Sequence, residues 1–128
     1  MGGTCKSSNV VYAVRCRKCE DNWYIGETGM RLHERMNQHR YSIGKFRRGE
    51  TIDKSNDTGL SEHFGVSDHN FEEDAELYLL ECGAWKTAEE RQCRESYYIC
   101  RYSTVEPSGL NKKRGAMGDL YDKVNGKI

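Results

Sequence analysis

The sequence predicts an α+β domain, with a small, mainly antiparallel three-stranded sheet flanked by helices. Three observations carry that expectation. Short runs rich in β-branched and aromatic residues, NVVYAVR at 9–15, WYIGE at 23–27 and AELYLLE at 75–81, read as strands. A helical stripe at 30–43 and a helix-start signature at 87–90 separate and follow them. The length, 128 residues, suits one domain with a small core.

Each element has its own signal. The strands at 9–15 and 23–27 are joined by a turn from Cys16 to Asn22, and Gly26 and Gly29 punctuate the second strand's end. Together they predict a hairpin with a long, cysteine-bearing connection. In MRLHERMNQHRYSI, Leu32, Met36, His39 and Ile43 fall in one narrow stripe, flanked by Arg31 and Arg35. The stretch from Gly44 to Thr58 is polar and glycine-punctuated and reads as an exposed loop. A short helix is expected from Thr58 to Phe64, capped by Thr58 or Asp57. Thr87-Ala-Glu-Glu90 is a capping box, so a helix should run from Thr87 to about Tyr102. Pro107, Ser108 and Gly109 mark a turn before Leu110 and Asn111. The expected organisation is a tail at 1–8, a domain at 9–114 and a polar, glycine-bearing tail at 115–128.

Net charge is zero, but the charges are segregated. Arg31, Arg35, Arg40, Lys45, Arg47 and Arg48 crowd one stretch, and Lys112, Lys113 and Arg114 form a second knot. Acid gathers at Glu72, Glu73, Asp74 and Glu76. A basic face for phosphates is compatible with this pattern, as is a mixed, solvated surface. No run of 18 apolar residues exists, which excludes a membrane-spanning helix. MGGTCKSSN has no apolar core and is no secretory signal, so an intracellular, reducing compartment is expected.

The six cysteines then read as thiols or metal ligands rather than three disulfides. Cys93 and Cys100, seven apart on one helix, are expected to be buried packing thiols. Cys16-x2-Cys19 is no thioredoxin-type pair, because no helix N-terminus follows to lower a thiolate pKa. Its spacing fits half of a zinc site, and His63 and His69 are the best candidates for the other half. Their separation of six is wider than usual. Two free thiols or a disulfide remain alternatives.

Three further features stand in order along the chain. Val10-Val11-Tyr12 precedes Tyr24-Ile25-Gly26 on the paired strand. Arg35-x3-His39 lies on the next helix, and Glu95 lies within Arg94-Glu-Ser-Tyr-Tyr-Ile99. Singly, each has an ordinary structural reading: strand packing for Tyr12, a core imidazole for His39, surface charge for Arg35, a salt bridge to Arg91 for Glu95. Jointly, from Val10 to Asn111, the set resembles the GIY-YIG nucleases. The first tripeptide keeps only its tyrosine.

That resemblance implies a metal-dependent DNA endonuclease leaving a 5′-phosphate and a 3′-hydroxyl. It implies a Mg²⁺ or Mn²⁺ held by Glu95, a phosphate clamp by Arg35, and Tyr12 and Tyr24 around the attacking water. Asn111 matches an asparagine near the end of the family's module. His39, one turn after Arg35, is placed to relay a proton or hold a phosphate. Lys45, Arg47, Arg48, Lys112, Lys113 and Arg114 would hold the DNA backbone.

The chain is most similar to the nucleases of Penelope-like retroelements, which carry a cysteine pair before the Tyr-Ile-Gly strand and histidines after the first helix. This implies a structural Cys₂His₂ zinc at Cys16, Cys19, His63 and His69. It also implies a nuclear setting and a reverse transcriptase domain as partner, primed by the freed 3′-hydroxyl. A branched-DNA repair nuclease and a non-catalytic, zinc-stabilised nucleic-acid-binding module are the alternatives.

Overall fold

Val10–Cys16 forms β1, and its near-continuous apolar run has a topological cause: it is the central strand. In this computed structural model, which describes residues 8–19, 22–50, 58–66, 69–112 and 114, the order is β2-β1-β3. β2 spans Trp23–Thr28 and β3 spans Ala75–Cys82, both antiparallel to β1. A strand paired on both sides and covered on both faces has no solvent face to make polar. The expected α+β sheet is present, with β1 ending at Cys16 and β2 starting at Trp23. The β1–β3 ladder shifts register between Val11 and Tyr12, a bulge that opposes Val11 to Glu81 and Tyr12 to Leu79.

Strand alternation divides the core in two. Val10, Tyr12, Val14 and Cys16, with Tyr24, point to one side, where Leu32, Met36 and Ile43 of α1 (Leu32–Arg47) and Leu60 and Phe64 of α2 (Thr58–Phe64) meet them. Val11, Ala13 and Ile25 point to the other, where Ile99 of the last helix packs. The predicted stripe on α1 is the buried one: Leu32, Met36, His39 and Ile43.

The helices depart from expectation at their ends. α1 runs through Gly44 to Arg47, past the expected end. Tertiary contacts outweigh the glycine there. Phe46 fills the space over Gly65, where a Cβ would meet its ring at 2.4 Å, and Arg47 is tied to α2. A one-turn helix, α3 (Phe71–Asp74), was not expected, since four residues show no period. Asn70 caps it, its Oδ1 accepting from Glu72 N (2.8 Å) and Glu73 N (3.2 Å).

α4 (Ala88–Tyr102) starts as the capping box requires, with Thr87 Oγ1 accepting from Glu90 N at 3.2 Å. The reciprocal bond goes one residue further back, from Lys86 N to Glu90 Oε1. Its buried face is Glu95, Ser96 and Ile99. Cys93 is consequently exposed and Cys100 only partly buried, which corrects the expectation of two buried thiols.

After α4 the chain returns along the outer edge of β2. Leu110 N donates to Trp23 O at 2.8 Å, and Val105 and Asn111 form a parallel bridge. The cap expected at Asp57, the Thr58 side chain, residues 51–57 of the 44–58 loop, Lys113, and residues 1–7 and 115–128 fall outside the described residues. No helix among the described residues is long and apolar enough to cross a membrane.

Candidate active site and metal centre

The hairpin register creates the first cluster. Tyr12 pairs with Gly26 and Val14 with Tyr24, so the two tyrosines are diagonal neighbours on the face under α1. Their ring centroids are 6.3 Å apart. His39 descends from α1 between them, 6.0 Å from the Tyr12 ring and 5.6 Å from that of Tyr24. Tyr12 Oη and His39 Nε2 are hydrogen-bonded at 2.7 Å. Gly26 makes this possible, since a Cβ there would stand 2.6 Å from Tyr12 Oη and 2.9 Å from Tyr24 Cε2. The cluster is enclosed: Tyr12 and His39 are 0% exposed and Tyr24 is 2%.

Of the other expected catalytic residues, Arg35 stands on α1 with His39, whereas Glu95 stands on α4, on the opposite face of the sheet. Arg35 is one turn before His39 on α1, half-buried, with Nη1 donating to Gln38 Oε1 at 3.0 Å. Glu95 is buried on α4, the helix layer across the sheet, which packs on β2 and β1. Its neighbours fix its station along the edge strand. Arg91, one turn earlier, reaches Glu27 Oε1 (2.5 Å) and Asn9 Oδ1 (2.7 Å) and fills the space over Gly29. Ile99, one turn later, packs with Ile25. Glu95 lies between Arg91 and Ile99 on that helix, and Arg91 is committed to Glu27 and Asn9 rather than to the salt bridge with Glu95 considered from spacing.

Asn111, the residue that matches the asparagine near the end of the family's module, fastens the edge of the sheet. Its Oδ1 accepts from Ile25 N (2.9 Å) and Thr104 Oγ1 (2.7 Å), and its Nδ2 donates to Ile25 O (2.9 Å). The amide mimics a peptide group and completes the edge of β2. It is 0% exposed.

The second cluster is the one the cysteine spacing predicts. Cys16 ends β1, Cys19 closes the tight turn after it, His63 lies at the end of α2, and His69 precedes α3. One donor atom from each lies within 4.8 Å of the others, so the four are in reach of one metal ion. Cys19 Sγ is 3.3 Å from His69 Nε2, and the two imidazole centroids are 4.4 Å apart. Tetrahedral zinc would place such donors about 3.3–3.8 Å apart. Cys16 and Cys19 are free thiols. Burial pushes the Cys16 thiol up, and the neighbouring Cys19 pushes the same way. A cation between them would reverse that.

The basic residues are largely occupied within the fold. Arg47 Nη2 donates to Phe64 O (2.9 Å) and His69 O (2.5 Å), gripping the carbonyls that flank both histidines. This positioning role at the metal centre has no signature in sequence. Arg48 pairs with Glu50 and Lys112 with Glu62 and Glu106, while Lys45 lies over the Tyr41 ring. These partners explain the raised pKa of Arg48 and Lys112. Lys45, Arg47, Arg48 and Lys112 of the expected backbone-binding set thus each have a partner within the chain. Arg114 is exposed. No known protein family, curated protein or solved structure matches the chain.

Proposed function

We propose that this chain is a metal-dependent DNA endonuclease of the GIY-YIG type, built around a structural zinc. The observation that carries the reading is the Tyr12–Tyr24–His39 cluster seated over Gly26. A phenol, with an ordinary pKa of about 10, is a poor base at neutral pH. With Nε2 accepting, His39 takes up the Tyr12 proton and leaves the phenolic oxygen able to draw a proton from water. Arg35, one turn away, offers a bidentate clamp for the phosphate.

The buried carboxylate of Glu95, beside an edge strand, suits a hard divalent cation that keeps most of its waters. Bound Mg²⁺ or Mn²⁺ would stabilise charge on the phosphate and on the leaving 3′-oxygen. In a retroelement the freed 3′-hydroxyl would prime a reverse transcriptase on the cut DNA.

Two thiolates and two imidazoles are a donor set for zinc rather than for Mg²⁺. Zinc there would pin the hairpin connection to α2 and the 69–74 segment.

One observation favours a second reading, a zinc-stabilised nucleic-acid-binding module that does not cut. Tyr12 and His39 have no solvent exposure. Plasmid nicking separates the two. The parent should nick supercoiled DNA with Mg²⁺ or Mn²⁺, leaving 5′-phosphate and 3′-hydroxyl ends, and Glu95→Ala should fall at least a hundredfold. Equal nicking by both proteins, or none by the parent, would defeat the enzyme.

A further inference from the structure

Across the sheet from the tyrosine–histidine cluster lies a cleft of about 640 Å³. That volume falls in the range of small-molecule sites. Ala13, Ile25 and Leu80 line its floor, and Trp23 and Tyr102 line its sides. Ser103 and Ser108 add hydroxyls at the rim.

The aromatic walls are held in place. Tyr98 stacks on Tyr102 with an interplanar angle of 7°, and Tyr98 Oη is fixed by Glu81 Oε1 at 2.9 Å. Tyr78 packs against Trp23 with centroids 5.4 Å apart. Tyr102 is nonetheless 60% exposed, an uncommon state for a ring so well supported.

Cations stand at both walls. The Arg101 guanidinium lies 5.7 Å from the Tyr102 ring, and that of Arg15, which also pairs with Glu76 at 3.3 Å, lies 5.9 Å from the Trp23 ring. Arg114 lines an adjoining cavity that shares Ser103 and Ser108. Ser103 itself holds the left-handed C-cap of α4 at φ 55°, a position glycine fills with less strain. Serine there keeps a hydroxyl on the rim.

We propose that this cleft takes an unpaired nucleobase of a single-stranded nucleic acid, stacked on Tyr102 and Trp23. The chemistry selects that ligand. Aromatic walls and an apolar floor want a planar body, the serine hydroxyls want a polar edge, and the arginines want an attached anion. A lipid chain has no use for the hydroxyls or the cations. An aromatic peptide side chain lacks the charge. The site is separate from the proposed catalytic cluster and does not depend on cleavage.

The test is fluorescence anisotropy of a labelled (dT)12 with the zinc-loaded chain and no added Mg²⁺. The parent should bind it more tightly than an abasic 12-mer of equal charge. Tyr102→Ala should weaken (dT)12 binding about tenfold. Tyr41→Ala, at an equally exposed tyrosine on α1, should bind like the parent. Equal affinity for the abasic strand, or an unchanged Kd in Tyr102→Ala, would overturn the proposal. Loss of binding in Tyr41→Ala would place the contact on α1 and overturn the cleft as the site. Nicking by these same variants is scored separately, so failure of the nuclease reading leaves a distinct mark.

Discussion

Two glycines show how a single atom decides a site. A Cβ at Gly26 would stand 2.6 Å from Tyr12 Oη and 2.7 Å from Cζ, and the phenol is enclosed with nowhere to retreat. Overpacking of this kind costs about 1–3 kcal/mol. Gly26→Ala should therefore lower the melting temperature by about 4–11 °C and break the Tyr12–His39 bond, abolishing nicking if the proposed chemistry holds. At Gly44 the nearest atom to a Cβ is the mobile end of Arg48, at 3.4 Å, within a regular helix. Gly44→Ala should raise stability by about 0.5–1 kcal/mol, because alanine loses less backbone freedom in a helix. Thermal denaturation of the two variants beside the parent checks both signs. Equal shifts would mean that backbone freedom, not the Tyr12 contact, governs Gly26.

At the scale of elements, the 104–111 return is the segment most dependent on one side chain. Asn111 makes three hydrogen bonds to Ile25 and Thr104, and Leu110 adds one to Trp23. Asn111→Ala leaves Ile25 N–H and C=O buried without that amide, at about 1–3 kcal/mol for each group. The Ile25 amide should lose most of its hydrogen-exchange protection, while Ala13, in the middle of β1, keeps its own. Uniform protection would show that the Asn111 amide does not hold this edge. This part of the fold was hidden in sequence because an amide imitating a peptide bond has no periodicity and no local partner. The strands and α4 were legible for the opposite reason. β1 carries apolar residues on both faces, and Thr87 and Glu90 cap locally. α1's last turn was misjudged because Gly44 is a local signal, whereas the Phe46 and Arg47 contacts that override it come from α2 and the His69 loop.

For the whole molecule, the cysteine–histidine centre joins segments that lie far apart along the chain. Cys16 belongs to the sheet, Cys19 to the hairpin connection, His63 to α2 and His69 to the approach to α3. CxxC was legible because its spacing is local. The histidines were candidates from sequence despite a separation of six, and the fold brings their rings to the thiols. Arg47 was invisible, since its acceptors are backbone carbonyls far along the chain. A metal bound by the folded state alone stabilises by about 4.1 kcal/mol at a thousandfold excess over Kd. For 128 residues that corresponds to about 15 °C in melting temperature. Metal analysis should therefore find about one zinc per chain, and a strong chelator should lower the melting temperature by that order. Thiol ligands bind deprotonated, so the chelator-sensitive part should shrink as pH falls. Arg47→Ala should weaken zinc retention without removing a ligand, because both carbonyl tethers beside the histidines go with it. The sheet does not rest on the metal, so far-UV circular dichroism should keep its strand signal after chelation while the α2 contribution falls. A metal-free chain with the same melting temperature in chelator would show that the four donors meet for packing alone. It would leave the tyrosine–histidine cluster to be judged on nicking.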